Sequence, residues 1–304
     1  MGAVRRTENG RHILKMHLRG EKMSLGLKYK DERHVFDEAG GETPYLKYPM
    51  FEKAGIVRHG FSTRLGGVSQ GCYASLNLSF DRGDREEAVR ENFRRMGDAI
   101  GVRCEDMVLS QQTHTTNVRI VTEADRGKGI VRERDYTDVD GLVTNVPGIC
   151  LVTSYADCVP LYFVDPVKKA IGLSHSGWRG TVGKIGAKTV EAMKDTFGSD
   201  PADILAAVGP SVCMDCYEVS GDVIERVEEA FAEHLWEQLF YRKPDGKYQL
   251  DLWKANELIF REAGIRPEHI AVTNVCTHCN STIFYSHRAA GDKRGNLCAF
   301  LALK

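Results

Sequence analysis

A chain of 304 residues can hold one large domain or two small ones and can bury roughly three quarters of its unfolded surface, enough to enclose a site. Its 41 Lys and Arg against 42 Asp and Glu leave a formal charge of -1, without the basic excess of a nucleic-acid binder. Apolar stretches such as residues 202–212 fall far short of the roughly 20 needed to cross a bilayer, so neither nucleic acid nor membrane is an expected partner.

Residues 1 to 27 mix charges without helical or strand period, and they lack the apolar core of about 7–15 residues that marks a secretory signal. This stretch reads as a poorly ordered N-terminal tail ahead of a single catalytic domain over residues 28–304, and a cytoplasmic protein is expected. A second methionine, Met23, leaves two candidate translation starts. From Tyr45 onward short apolar runs alternate with glycine-marked turns, a strand pattern, while helical spacing is confined to 86–100, 182–197, 221–240 and 252–263. In the first of these Val89, Phe93, Met96 and Ile100 recur at steps of four, three and four, giving one apolar face to lay over a sheet. No internal repeat or linker divides the chain, so one layered domain of α+β class is expected.

The densest segment is 140–182, where two buried-strand patterns, GICLVTSYADCVPLYFV and AIGLSHS, are joined by a turn at Asp165-Pro166. Cys158 and His175 fall near strand ends, 17 positions apart, on strands expected to be neighbours. The turn SGWRG then leads into a helix expected near Thr181, so His175 falls at a strand-to-helix junction, where ligand sites and anion-attracting helix N-termini lie. Such a Cys/His pair can act as nucleophile and base, or as two metal ligands that need at least one further donor. His114, in SQQTHTTNV, is the best candidate for that donor, although a lone histidine there is as readily a plain surface or core residue.

Nine cysteines, an odd number scattered along the chain, argue against a disulfide framework. The pairs Cys213/Cys216 and Cys276/Cys279 each have the gap of a structural zinc half-site, but the 60 positions from Cys216 to Cys276 exceed the usual spacing of roughly 15–20. Neither flank has a glycine-rich knuckle turn. A metal shared by the two pairs is therefore not expected, and a redox role still less, since no helix opens behind either pair in a βαβ unit.

Six motifs in order carry a resemblance: FSTRLGGVS with SLNLS within 61–79, QQTH at 111–114, SYADCVPLYF at 154–163, SHSGWRG at 174–180, VGPSVCMDCYEV at 208–219 and FYSHR at 284–288. Together they resemble the YfiH/YlmD family, once called the laccase-domain or polyphenol oxidase family and now regarded as purine nucleoside phosphorylases. The resemblance runs from about Tyr45 to the C terminus. It implies an α+β, CNF1/YfiH-like fold, a layered mixed β-sheet with flanking helices in a single domain. It also implies Zn2+ held by His114, Cys158 and His175, a donor set whose chemistry would also accept Cu2+ adventitiously. Three protein ligands with a fourth position open is also what chemistry asks of a catalytic zinc.

The resemblance further implies phosphorolysis of adenosine, inosine and methylthioadenosine, with adenosine deamination alongside, so that purine nucleosides and inorganic phosphate are the partners and a monomer is favoured. Phosphate needs arginine forks or backbone N–H groups beside the anomeric carbon. The resemblance puts Arg64, before the Gly66-Gly67 turn, in that role as a catalytic and phosphate-binding residue. Asn77 and Gln112 match family positions that orient substrate or a ligand, and Arg288 is a further candidate for holding an anion. The chain departs near its end: where relatives carry a TGR-like stretch, residues 292–296 read DKRGN, so that arginine is displaced or replaced by Asn296 and a C-terminal phosphate clamp stays open.

Three rival readings are distinguishable. Two histidines and a cysteine also form the equatorial set of a blue-copper centre, but a laccase needs His-x-His pairs for a copper cluster, and none of the 10 histidines lies two positions from another. A metal-independent cysteine hydrolase or deamidase would use Cys158 and His175 and leave His114 without a role. A catalytically inert binding or cell-envelope quality-control protein would show no turnover.

Overall fold

The computed structural model describes residues 24–304. Of the expected tail, residues 1–23, the alternative start Met23 among them, lie outside the described residues, whereas Leu25 and Leu27 pack onto the core. Two six-stranded mixed sheets carry the architecture. The first runs 37–39, 45–47, 57–62, 297–303, 150–155, 107–109, and the second 270–272, 205–208, 159–165, 170–176, 141–144, 118–120. Pairing is antiparallel inside both sheets and parallel at the 107–109 edge of the first and at both edges of the second. A small three-stranded sheet, 218–219, 248–250, 240–242, stands beside them.

Successive side chains of a strand point to opposite faces, and here both faces of the central strands are covered, which explains their unbroken apolar runs. In Leu297–Leu303, Ala299, Leu301 and Leu303 join the core between the two sheets, while Cys298, Phe300 and Ala302 join the core under helix Glu86–Ile100. In Val159–Asp165, Tyr162 and Val164 face the first sheet, while Val159, Leu161 and Phe163 meet helices Ile185–Phe197 and Leu252–Glu262. The layers therefore run helix, sheet, sheet, helix. Each large side chain so buried contributes roughly 1.5–3 kcal/mol. Helix Glu86–Ile100 follows its apolar spacing, with Val89, Phe93 and Met96 fully buried, Glu86 and Glu87 in its first turn, and a left-handed Gly101 ending it.

Three elements differ from the sequence expectation. The apolar run 148–164 is not one strand. It breaks at 156–158 and passes from the first sheet to the second, with Asp157 at a φ of 84° making the turn. The helix expected over 182–197 is two, Trp178–Val182 and Ile185–Phe197, separated at Lys184 with a φ of 57°. That expected over 221–240 ends at Ala230, because Phe231 turns extended to bury its ring and its carbonyl accepts from Trp236 Nε1–H at 2.8 Å. Among the described residues no helix is long and apolar enough to cross a membrane.

Candidate active site

Cys158 sits in the break between the sheets. The turn that carries it is held at most of its polar atoms: the Asp157 carboxylate accepts from Thr277 Oγ1 at 2.6 Å, Ser286 Oγ at 3.0 Å and the Arg288 N–H at 2.7 Å, and its carbonyl accepts from the Val212 N–H at 3.0 Å. His175, near the end of Ala170–Ser176, lies opposite Pro160 in the antiparallel register, so the neighbouring strand brings it beside Cys158. The adjacency expected of these two strands is therefore present.

His114 approaches from the loop after Met107–Leu109, with left-handed backbone at a φ of 66°. A residue with a Cβ adopts that conformation at a cost and needs outside support. Asp140 supplies it. This wholly buried carboxylate accepts from the N–H groups of Thr113 at 3.0 Å, His114 at 3.1 Å and Thr115 at 3.0 Å, and from Thr115 Oγ1 at 3.1 Å. The same Asp140 meets His175 Nδ1 at 2.8 Å. One carboxylate thus orients both histidines and leaves His175 Nε2 free to face the cysteine, the arrangement that carboxylates impose on ligating imidazoles. Asp140 was not singled out in the sequence. Its five donors come from residues 113–115 and 175, and only folding brings them together.

One donor atom from each of His114, Cys158 and His175 can be chosen so that all lie within 4.8 Å of one another, and the two imidazole rings stand edge to face with centroids 4.9 Å apart. Gly177 closes the other side: a Cβ there would come within 3.0 Å of His114 Cδ2 and 3.2 Å of Cys158 Sγ. Burial pushes the Cys158 thiol up, but His175 and His114 more than offset this and draw it down to about 6. Burial likewise pushes His175 down, and Cys158 with Asp140 raise it to about 9. The carboxylate of Asp140, disfavoured by burial, is held below its ordinary range by His175 and the N–H groups around it. A thiolate beside two imidazoles, one fixed by a carboxylate, fits a borderline-soft divalent metal such as zinc.

Two clefts meet at this group and share His114, Ala156, Cys158 and Arg294. One, of about 410 Å³, is polar and takes in Arg82, Arg134, Gln112 and Asn296; the other, of about 350 Å³, is walled by Trp178, Tyr217, Leu252 and Arg288. Arg82 Nε and Arg294 Nε are buried without a hydrogen-bond partner among the described residues. Burial and the neighbouring Arg82 both disfavour the charged form of Arg294. The Arg82 guanidinium also donates to the Asp292 carbonyl at 2.6 Å and meets its carboxylate at 3.5 Å, and Arg294 donates to the Gly295 carbonyl, so what the two offer an anion is positive charge on the border of the polar cleft.

The other residues singled out in the sequence fall differently. Arg64 lines neither cleft; its guanidinium donates to the Ala74 carbonyl at 3.0 and 2.8 Å and the Ser281 carbonyl at 3.1 Å and lies over the ring of Tyr285. Asn77 is fully buried outside both clefts, donating to Ser79 and Asp84 and accepting from the Asn296 N–H at 2.9 Å. Gln112 braces the 110–112 loop against Ser154. Arg288 lies over Tyr217 and donates to the Glu218 carbonyl at 2.8 Å. In the altered stretch 292–296, the side chain of Arg294 reaches Asn296 Oδ1 and borders both clefts. Arg82 had no motif to mark it, whereas Arg294 is the arginine of the DKRGN stretch, displaced from the relatives' TGR-like position.

A two-sheet fold of this topology with a Cys/His/His group at the crossing between sheets defines a recognisable class. The family model described as multi-copper polyphenol oxidoreductase laccase matches residues 58–304. Purine nucleoside phosphorylase YlmD of Bacillus subtilis is 37% identical over 249 residues, 81% of this chain and 88% of that protein. Adenosine deaminase RL5, from an unknown prokaryotic organism, is 35% identical over 238 residues, 77% of this chain and 90% of that protein. The crystal structure of Bacillus licheniformis YfiH superposes with a TM-score of 0.83 at 33% identity, covering 90% of this chain and 100% of that one. The chain belongs to this laccase-like YfiH/YlmD family. Relatives named for enzymes of purine nucleosides support an enzyme here.

Proposed function

We propose that this protein is a zinc-dependent purine nucleoside phosphorylase, acting on adenosine, inosine and methylthioadenosine, with adenosine deaminase activity at the same site. The reading takes it as a cytoplasmic monomer. The observation that carries it is Asp140 orienting two histidines around Cys158 where a cleft bordered by arginines meets one with aromatic walls. His114, Cys158 and His175 would hold the zinc. When bound, the ion polarises substrate and makes water a stronger nucleophile near neutral pH.

The chain's own residues do the rest. Arg294 and Arg82, the latter also paired with Asp292, hold phosphate as an anion in the polar cleft beside the sugar. Trp178 and Tyr217, one face of each covered by Arg179 and Arg288, wall the second cleft for a purine ring. Asp140 holds a proton on His175 Nδ1, so that Nε2, once its own proton is displaced by the ion, would be the ligating nitrogen. Arg64, which the resemblance sets in the site, is here read as a clamp on the 74 and 281 loops, because its donors are already committed to carbonyls.

The decisive test pairs metal content of protein purified without added metal with base release from adenosine, with and without phosphate. Adenine release that needs phosphate, and is lost with the metal in Cys158→Ala, supports the reading. Full activity in Cys158→Ala overturns it. A second reading, a metal-independent cysteine hydrolase, draws on the Cys158 thiolate held beside His175. It predicts activity that survives chelation and is abolished by thiol alkylation. Copper in the same three-ligand site remains compatible with the donors, whereas among the described residues no further cluster of histidines is present for a multicopper centre.

A further inference from the structure

Against the sequence expectation, the two CxxC pairs meet. Sγ atoms of Cys213, Cys216, Cys276 and Cys279 all lie within 4.8 Å of one another, with Cys216 and Cys279 at 3.6 Å. Four sulfurs about a zinc at roughly 2.3 Å stand roughly 3.8 Å apart along the edges of the tetrahedron. The spacing is therefore that of a thiolate tetrahedron, reached across 63 positions of sequence. Linear spacing fails as a guide because the topology closes the gap: Leu205–Val208 and Ile270–Val272 are parallel neighbours, and Ser211 and Cys276 continue that pairing just beyond their ends.

The knuckle turns expected to need glycine form without it. The Cys216 N–H returns to the Cys213 carbonyl at 3.0 Å, and the Asn280 N–H to the Cys276 carbonyl at 3.1 Å. These turns aim backbone donors at sulfur: Cys276 Sγ accepts from the Cys213 N–H at 3.3 Å and the Cys279 N–H at 3.4 Å. Such donors stabilise thiolate over thiol. Lys30, paired with Asp215 at 3.0 Å, lies against Cys213 and sets a positive charge beside what four thiolates and a divalent ion would make a dianion.

We propose that these four cysteines bind a second zinc ion, structural in role, separate from the His114/Cys158/His175 group. Four protein ligands leave no open position, Cys213 and Cys276 are buried, and no substrate cleft reaches the sulfurs. The ion ties together three segments. One follows Val208 and carries Val212 and Tyr217 to the apolar cleft; another follows Val272 and carries Thr277 and Arg288 to Asp157; the third is the 28–30 segment, which pairs with Asn274, Val275 and Asn280. The site is the fastening from which two walls of the catalytic cleft hang.

The test is zinc counting by plasma mass spectrometry on protein purified under reducing conditions. Two zinc ions per chain are expected in the wild type, one in Cys216→Ser/Cys279→Ser, and one in His114→Ala/Cys158→Ala. X-ray absorption on the last variant should show four sulfur neighbours at about 2.3 Å. One zinc in the wild type and none in His114→Ala/Cys158→Ala overturns the proposal, as does a Cys216–Cys279 disulfide found by peptide mapping of that protein. Should the cysteine variant not fold, the absorption spectrum of the histidine variant decides alone. A four-sulfur zinc in a protein without phosphorolysis would uphold this inference while rejecting the proposed function.

Discussion

Asp140 is the residue on which the proposed catalytic group depends most, because a single buried carboxylate serves five donors and both histidines. Asp140→Asn keeps the shape but puts an N–H₂ against donors. Chelator competition should then show zinc affinity at the His114/Cys158/His175 group reduced roughly 10–100-fold, with His175 no longer held in one tautomer. An unchanged affinity would mean the histidines orient themselves. Among the arginines the contrast is sharper. Arg294→Ala removes a guanidinium that borders both clefts, and the KM for phosphate should rise about 10–100-fold, the worth of one or two charged hydrogen bonds, while deamination persists. Arg64→Ala should leave that KM alone and lower unfolding stability by about 2 kcal/mol, since it strips bonds from the Ala74 and Ser281 carbonyls. The reverse pattern would return the phosphate to Arg64. His114, Cys158 and His175 were legible in sequence because their atoms carry the chemistry and sit inside specific motifs. Asp140 and Arg82 were not, and Arg294 only as the displaced arginine of the DKRGN stretch, since a carboxylate's or guanidinium's use depends on what folding leaves beside it.

Elements were legible where one face alone decides them. Glu86–Ile100 lies over a sheet with solvent behind it, so its spacing is clean and its bounds fall where the apolar face and Gly101 set them. The run 148–164 is covered on both faces, and a run without alternation gives no mark of where one strand stops. The break lies at Asp157, whose turn is stabilised by partners from residues 212, 277, 286 and 288, none of them local. The junction after Ala170–Ser176 has the opposite constraint, a glycine demanded by crowding. Gly177→Ala would put a methyl 3.0 Å from His114 and 3.2 Å from Cys158, and overpacking of this kind costs about 1–3 kcal/mol. Because His114 is the more exposed of the two, its loop should yield. The variant is expected to fold with a slightly lower Tm and to lose zinc from the three-ligand group; retention of that metal at wild-type affinity would show that the loop has slack.

At the scale of the whole molecule, the class, layered and mixed, could be read from strand-rich patterning, yet the doubling into two packed sheets could not, because nothing in a buried strand names the sheet it joins. The packing has one cost that pH exposes. His59, on Val57–Ser62 in the first sheet, has a side chain fully shut from solvent among Tyr48, Phe51 and the sheet behind them. Its Nε2 accepts from the Tyr48 N–H at 2.7 Å, so the ring is neutral with its proton on Nδ1, an atom without a hydrogen-bond partner. Burial pushes His59 down to about 4; Glu52, with its Oε1 3.7 Å from Nδ1, opposes this only in part, and Lys47 and Lys304 reinforce it. The unfolded chain therefore takes up this proton first as pH falls. Stability from His59 is complete above its ordinary value of 6.5, declines as pH drops toward about 4, and is fully lost below that. The total is on the order of 3 kcal/mol, at no more than about 1.4 kcal/mol per pH unit. His59→Gln keeps an acceptor for the Tyr48 N–H and cannot ionise. Urea unfolding of both proteins from pH 7.5 to 4.5 should show the wild type falling more steeply by close to one proton, with metal-linked protons cancelling in the difference; parallel curves would mean the ring takes its proton without leaving the core.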